Sequence, residues 1–104
     1  MKEYKEIFRL KEMLEEAEIP FEFEDRSIVQ ADFQSYQIGF PAIRPIHEMI
    51  CSVVEGYATY GAEVDKLEIM GLLTEKESEI DSVRGWLTAE EVFERIAAYY
   101  KEHK

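Results

Sequence analysis

The hydrophobic period of this chain changes sharply at Pro20. Before it, Ile7, Leu10, Leu14 and Ala17 recur at helical spacing, with Phe8 and Met13 widening the stripe. Behind it, Phe21 and Phe23 alternate with Glu22 and Glu24, the period-two pattern of a strand with one buried face. Proline cannot continue a helix, and it pushes the residue ahead of it towards extended backbone. The pattern predicts a helix over residues 2–18, a stop at Pro20 and a strand directly after it, so helix and strand must share one small fold.

The rest of the chain adds strands and ends on a helix. Tyr36, Ile38 and Phe40 alternate with Gln37, Gly39 and Pro41, a second strand. Pro41 and Pro45 lie too close together for a paired ladder, so residues 41–45 read as a loop. Residues 46–55 are apolar on both parities (Ile50 and Val54 on one, Met49, Cys51 and Val53 on the other), which predicts a central strand. Gly56 and Gly61 bracket Tyr57 and Tyr60 in a loop or a bulged strand edge. Leu67, Glu68, Ile69 and Met70 fit a fourth strand or a short helix. Thr88 with Glu91 forms a capping box, opening a helix whose apolar face is Ala89, Val92, Phe93, Ile96, Ala97 and Tyr100. Tyr99 falls off that face, a surface aromatic. Thr74 with Glu77 repeats the device within a shared Gly-x-Leu-Thr-x-x-Glu string, and predicts a short helical turn through Glu79. Trp86, just ahead of the second cap, is expected in the core as a hydrophobic staple. The expected fold is a single α+β domain over residues 1–104. It has a small antiparallel sheet of three to four strands, with an N-terminal and a C-terminal helix packed on one face.

The two terminal helices differ in charge order. In the first, Lys2 and Lys5 stand at the start and Glu15, Glu16 and Glu18 at the end, opposing the helix dipole, so its packed face must hold it. The last has Glu90 and Glu91 at its start and Lys101 and Lys104 at its end, the favourable order.

Charge excludes more functions than it selects. Twenty-three acidic residues against twelve Lys and Arg leave a net charge of −11, which repels nucleic acid and anionic membrane. An apolar fraction of 46% nevertheless argues for a packed core over disorder. No apolar run approaches the ~18 residues of a membrane span, the start lacks a signal-peptide core, and one cysteine excludes an internal disulfide. A cytoplasmic protein is expected. The excess is uneven, because residues 61–83 carry −5 of the −11. Glu63, Asp65, Glu68, Glu75, Glu77, Glu79 and Asp81 are therefore the candidate partner-binding carboxylates, with Tyr57 and Tyr60 as candidate aromatic contacts.

Catalytic and metal chemistry find no support in the pattern. His47 and Cys51 would be separated by roughly 13 Å along a strand, too far for a thiolate–imidazole pair, and Cys51 sits among Ile50, Val53 and Val54 as a core residue does. Three His and Cys residues in all fall short of a structural zinc site. The alternation of Glu75, Glu77, Glu79 and Asp81 lacks calcium-loop spacing and reads as a solvated face. No phosphate loop, nucleophile elbow or zinc-protease motif occurs. No catalytic residue, metal or cofactor is assigned.

The stretch Gly85, Trp86, Leu87, Thr88, Ala89, Glu90, Glu91, Val92, Phe93, Glu94, Arg95 and Ile96 resembles small uncharacterised proteins carried by phages and mobile elements of Gram-positive bacteria. Residues 67–74, 8–20 and 21–25 extend the resemblance over most of the chain. It implies an accessory protein that acts by binding a host protein, including nucleic-acid-binding enzymes whose DNA it would mimic. The leading expectation is a protein–protein module facing a basic partner. The alternatives are a ligand-binding domain or enzyme with a pocket near Tyr57, Tyr60 and Cys51, and a homodimer whose acidity serves solubility.

Overall fold

A computed structural model of the chain describes residues 4–31, 33–45, 48–56 and 64–103. Three α-helices, α1 (Glu6–Glu16), α2 (Glu75–Ile80) and α3 (Ala89–Glu102), accompany five strands among these residues. The strands are β1 (Glu22–Asp25), β2 (Ser35–Phe40), β3 (Cys51–Gly56), β4 (Leu67–Met70) and β5 (Val83–Leu87), paired in sequence order as one antiparallel meander. The α+β class and the placement of the terminal helices follow the sequence expectation. The sheet has one strand more than expected, and β3 stands at its centre.

Residues opposite one another in adjacent strands share a sheet face. Phe23, Ile38, Val53 and Ile69 form one such row, and Phe40 with Cys51 another. This inner face meets α1 and α3, which lie against each other, and Ile7, Leu10, Leu14, Val92 and Ile96 join it in one core cluster. The period-two and helical patterns thus meet in a single apolar layer. On the outer face, residues 41–45 fold back so closely over Gly39 that a Cβ there would stand 2.6 Å from the Ala42 carbonyl oxygen. Ile43 is fixed by donating its N–H to Glu22 Oε1 at 2.7 Å. Next to this crossing, Arg26, Gln37 and Ser52 form a hydrogen-bonded chain across β2 and β3, which is how Gln37 and Ser52 are buried at low cost.

Several local expectations are corrected. The first helix stops at Glu16, before Pro20 exerts any constraint, and Ala17 is an exposed cap instead of part of the stripe. Glu18 turns left-handed (φ 57°), Ile19 donates to Leu14 O, and Glu18 donates to Glu15 O, the paired bonds of a Schellman ending with Ile19 buried behind it. The central strand begins at Cys51 where residue 46 was expected. Strand β5 carries two aliphatic residues around Gly85 and one extra residue relative to β4, so the period-two signal is broken. Trp86 is 60% exposed, contrary to its expected core position. The residue directly before the Thr88 cap is Leu87, and it is Leu87 that is buried with Val92 in the staple arrangement. Tyr99, expected on the surface, is half-buried edge-on against Phe40.

Both capping boxes form. Thr74 Oγ1 accepts from Glu77 N and Thr88 Oγ1 from Glu91 N, and each glutamate side chain returns to the threonine N–H. Lys5, at the start of α1, supplies no side-chain cap of its own. No helix among the described residues is long and apolar enough to cross a membrane.

Candidate interaction surface

The acidic residues of the 61–83 segment divide by what the fold does with them. Asp65 turns to the start of α1, where its Oδ1 accepts the backbone N–H of Lys5 (2.8 Å) and of Glu6 (3.1 Å). It is thus the cap that α1 lacks locally. Glu77 is the third residue of α2, and its carboxylate is gripped by both guanidinium nitrogens of Arg95, at 2.7 and 2.9 Å, with Arg84 at 3.4 Å. The hydrogen bonds from Arg95, then the one from Thr74 N–H, hold its carboxyl down at about 2. Both carboxylates are therefore engaged within the fold.

Glu75, Glu79 and Asp81 remain exposed on α2 and its C-cap, together with Ile80, which is 84% exposed. Glu68 is half-buried in β4, on the outer sheet face opposite Val54. Glu63, Tyr57 and Tyr60 lie outside the described residues.

Trp86 is the exposed aromatic that the sequence misplaces. Between Leu67 and Ile69 the register of β4 against β5 shifts, so that Gly85 and Trp86 together span the position facing Glu68. The extra residue is accommodated by a left-handed backbone at Trp86 (φ 59°), a conformation that costs a non-glycine residue roughly 1 kcal/mol or more. The fold thus holds its one tryptophan on the bulged strand at a conformational cost. Met70, at the solvent edge of β4, pairs with half-buried Val83 on the outer face. A signal existed: a tryptophan two residues ahead of an N-cap, with a leucine between them, leaves only the leucine at the staple position.

A separate cleft of about 310 Å³ opens beside the end of α3. Phe40 lies at its base, edge-on to Tyr99 at 6.0 Å and to Tyr100 at 6.5 Å. Pro20, Pro41 and Ile50 add apolar lining, and His103 is the nitrogen base present. The His103 ring stacks on Tyr99 at 3.9 Å, and its Nδ1 lies 2.9 Å from Tyr99 O. A carbonyl oxygen accepts but never donates, so Nδ1 carries the proton and Nε2 is the accepting nitrogen of the neutral ring. This lining can bind; it holds no nucleophile paired with a base.

Cys51 lies in the core, fully buried, with Sγ 3.9 Å from Gly71 O, and burial pushes its thiol up to about 12. No group of three or more His, Cys, Asp or Glu side chains among the described residues is arranged to hold a metal. Comparison with family models, with curated proteins and with solved structures gives no match for this chain.

Proposed function

We propose that this protein is a non-catalytic module that binds a protein partner with a basic surface, using Trp86 as the apolar anchor and Glu68, Glu75, Glu79 and Asp81 as the charged contacts. The observation that carries the reading is Trp86 itself: exposed, and held in a backbone conformation that tryptophan disfavours. Tryptophan is enriched among the few residues that dominate binding energy, and exposed carboxylates speed encounter with a basic surface. A basic partner surface of the kind that otherwise holds nucleic acid fits the net charge of −11.

The test is affinity capture from a bacterial lysate followed by purification and binding measurement of the captured protein. Trp86→Gly keeps the backbone comfortable and removes the anchor, so it should weaken binding by tenfold or more, about 1.4 kcal/mol. Glu75→Lys with Glu79→Lys should slow association and reduce its salt dependence. Unchanged binding by both variants would remove the proposal.

The cleft at Phe40, Tyr99 and Tyr100 favours a second reading, a small apolar ligand with one hydrogen-bond donor for His103 Nε2. Fragment screening by NMR distinguishes it: amide shifts confined to Ile50, Tyr99 and Tyr100 support it, and their absence across a diverse set counts against it.

A further inference from the structure

Glu55 stands on the core-facing side of the central strand β3, opposite Tyr36, and is 0% exposed. Its Oε1 accepts the backbone N–H of Ile7 at 3.0 Å. Its Oε2 is buried and receives no hydrogen bond from any donor. The neighbouring group that acts on Glu55 is the carboxyl of Asp65, itself an acceptor already holding the N–H groups of Lys5 and Glu6 in the same first turn of α1. Glu55 is shut off from water and Asp65 is half-buried beside it; two acceptors so placed repel one another, and a single proton between them turns that repulsion into a hydrogen bond.

We propose that Glu55 is a neutral carboxylic acid in the folded protein, donating its hydrogen to Asp65, and that this proton latches the first turn of α1 onto the sheet. With the proton in place, Asp65 and Glu55 together satisfy the N–H groups of Lys5, Glu6 and Ile7, the donors that every helix start leaves open. When the proton passes to a base in solution, a buried carboxylate stands against a second one, and α1 loses its seat.

The surroundings favour the protonated form. Burial first, then the hydrogen bond with Asp65, hold the Glu55 carboxyl up at about 9, against the lowering effect of Ile7 N–H. Asp65 and Glu6 both add negative charge that raises it further. Burial alone would raise Asp65, yet hydrogen bonds from Glu55, Glu6 N–H and Lys5 N–H, with the Lys5 ammonium, leave it lowered. Tyr4, just ahead of α1, is raised first by burial and then by Glu55, and Tyr36 faces Glu55 from β2. Glu6 is tied to Arg9 and to Ala89 N–H, so the latch reaches the first turn of α3.

The sign follows from linkage. The folded value lies above the unfolded value of 4.5, so the stabilisation is complete below pH 4.5 and is lost as pH rises towards about 9. Between those limits folding takes up one proton at this site, and the unfolding constant rises about tenfold per pH unit on its account.

Glu55→Gln is the decisive variant, because its amide accepts from Ile7 N–H, donates to Asp65 and cannot ionise. The ratio of unfolding constants, wild type over E55Q, is expected to rise about tenfold per pH unit between about pH 5 and about pH 8.5. A ratio independent of pH overturns the proposal. Carbon-13 NMR of the Glu55 carboxyl in the wild-type protein gives a second reading that needs no variant. A titration midpoint above about pH 7 supports the latch, and a carboxyl already ionised at about pH 6 overturns it.

Discussion

Glu6 Oε2 accepts the backbone N–H of Ala89 at 2.6 Å, across 83 positions of sequence. One side chain thereby joins the first turns of α1 and α3, and its other oxygen holds Arg9 at 2.7 Å, which reaches on to Glu90. Such a hydrogen bond, buried and charge-assisted, contributes about 1.5–3 kcal/mol. Glu6→Ala should lower unfolding free energy by that amount in urea titration, and Glu6→Gln, which keeps an acceptor, by clearly less. Equal losses in the two variants would show that the hydrogen bond to Ala89 is not what matters.

At position 86 the ordinary ranking of glycine and alanine should reverse. Glycine normally weakens a strand, but here the backbone is left-handed and an L side chain is strained. Trp86→Gly is expected to be more stable than Trp86→Ala by roughly 0.5–1 kcal/mol in thermal or urea unfolding. An alanine variant at least as stable as the glycine variant would refute the left-handed assignment.

Glu77 contributes to the acid side of the stability profile. Its carboxyl, lowered to about 2 by Arg95, contributes stability above the unfolded value of 4.5 that is lost as pH falls from there towards 2. Arg95→Met should flatten that part of the profile relative to wild type. Because Glu77 also returns to Thr74 N–H, some acid sensitivity remains in the variant. An unchanged acid limb would assign acid unfolding to other carboxylates.

Cys51 should behave as a packing residue. With the thiol fully buried and raised to about 12, alkylation by iodoacetamide at pH 8 should proceed only through unfolding, and its rate should rise with added urea. Rapid labelling of the native protein would contradict the burial.

What the sequence reveals and what it hides follow the range of the interactions. The caps at Thr74 and Thr88 are legible because all their partners lie within three residues. The unfavourable charge order of α1 is legible too, but the remedy comes from Asp65 and Glu55, about fifty to sixty positions away, where no local pattern points. The strand β5 is hidden because its bulge interrupts the alternation at Gly85 and Trp86. In the candidate surface, the acidity of residues 61–83 is plain from composition, whereas the withdrawal of Asp65 and Glu77 into the fold depends on arginine and amide partners brought in by distant elements.

The borrowed cap of α1 has a consequence for how the molecule is made. The helix is synthesised before the side chains that cap its first turn, which lie in and beyond the central strand. A short helix without its own cap is marginal in water. The nascent segment must therefore wait, uncommitted, until the later hairpin has been synthesised and paired. A segment made before its capping partners thus acquires its final shape only after they have paired.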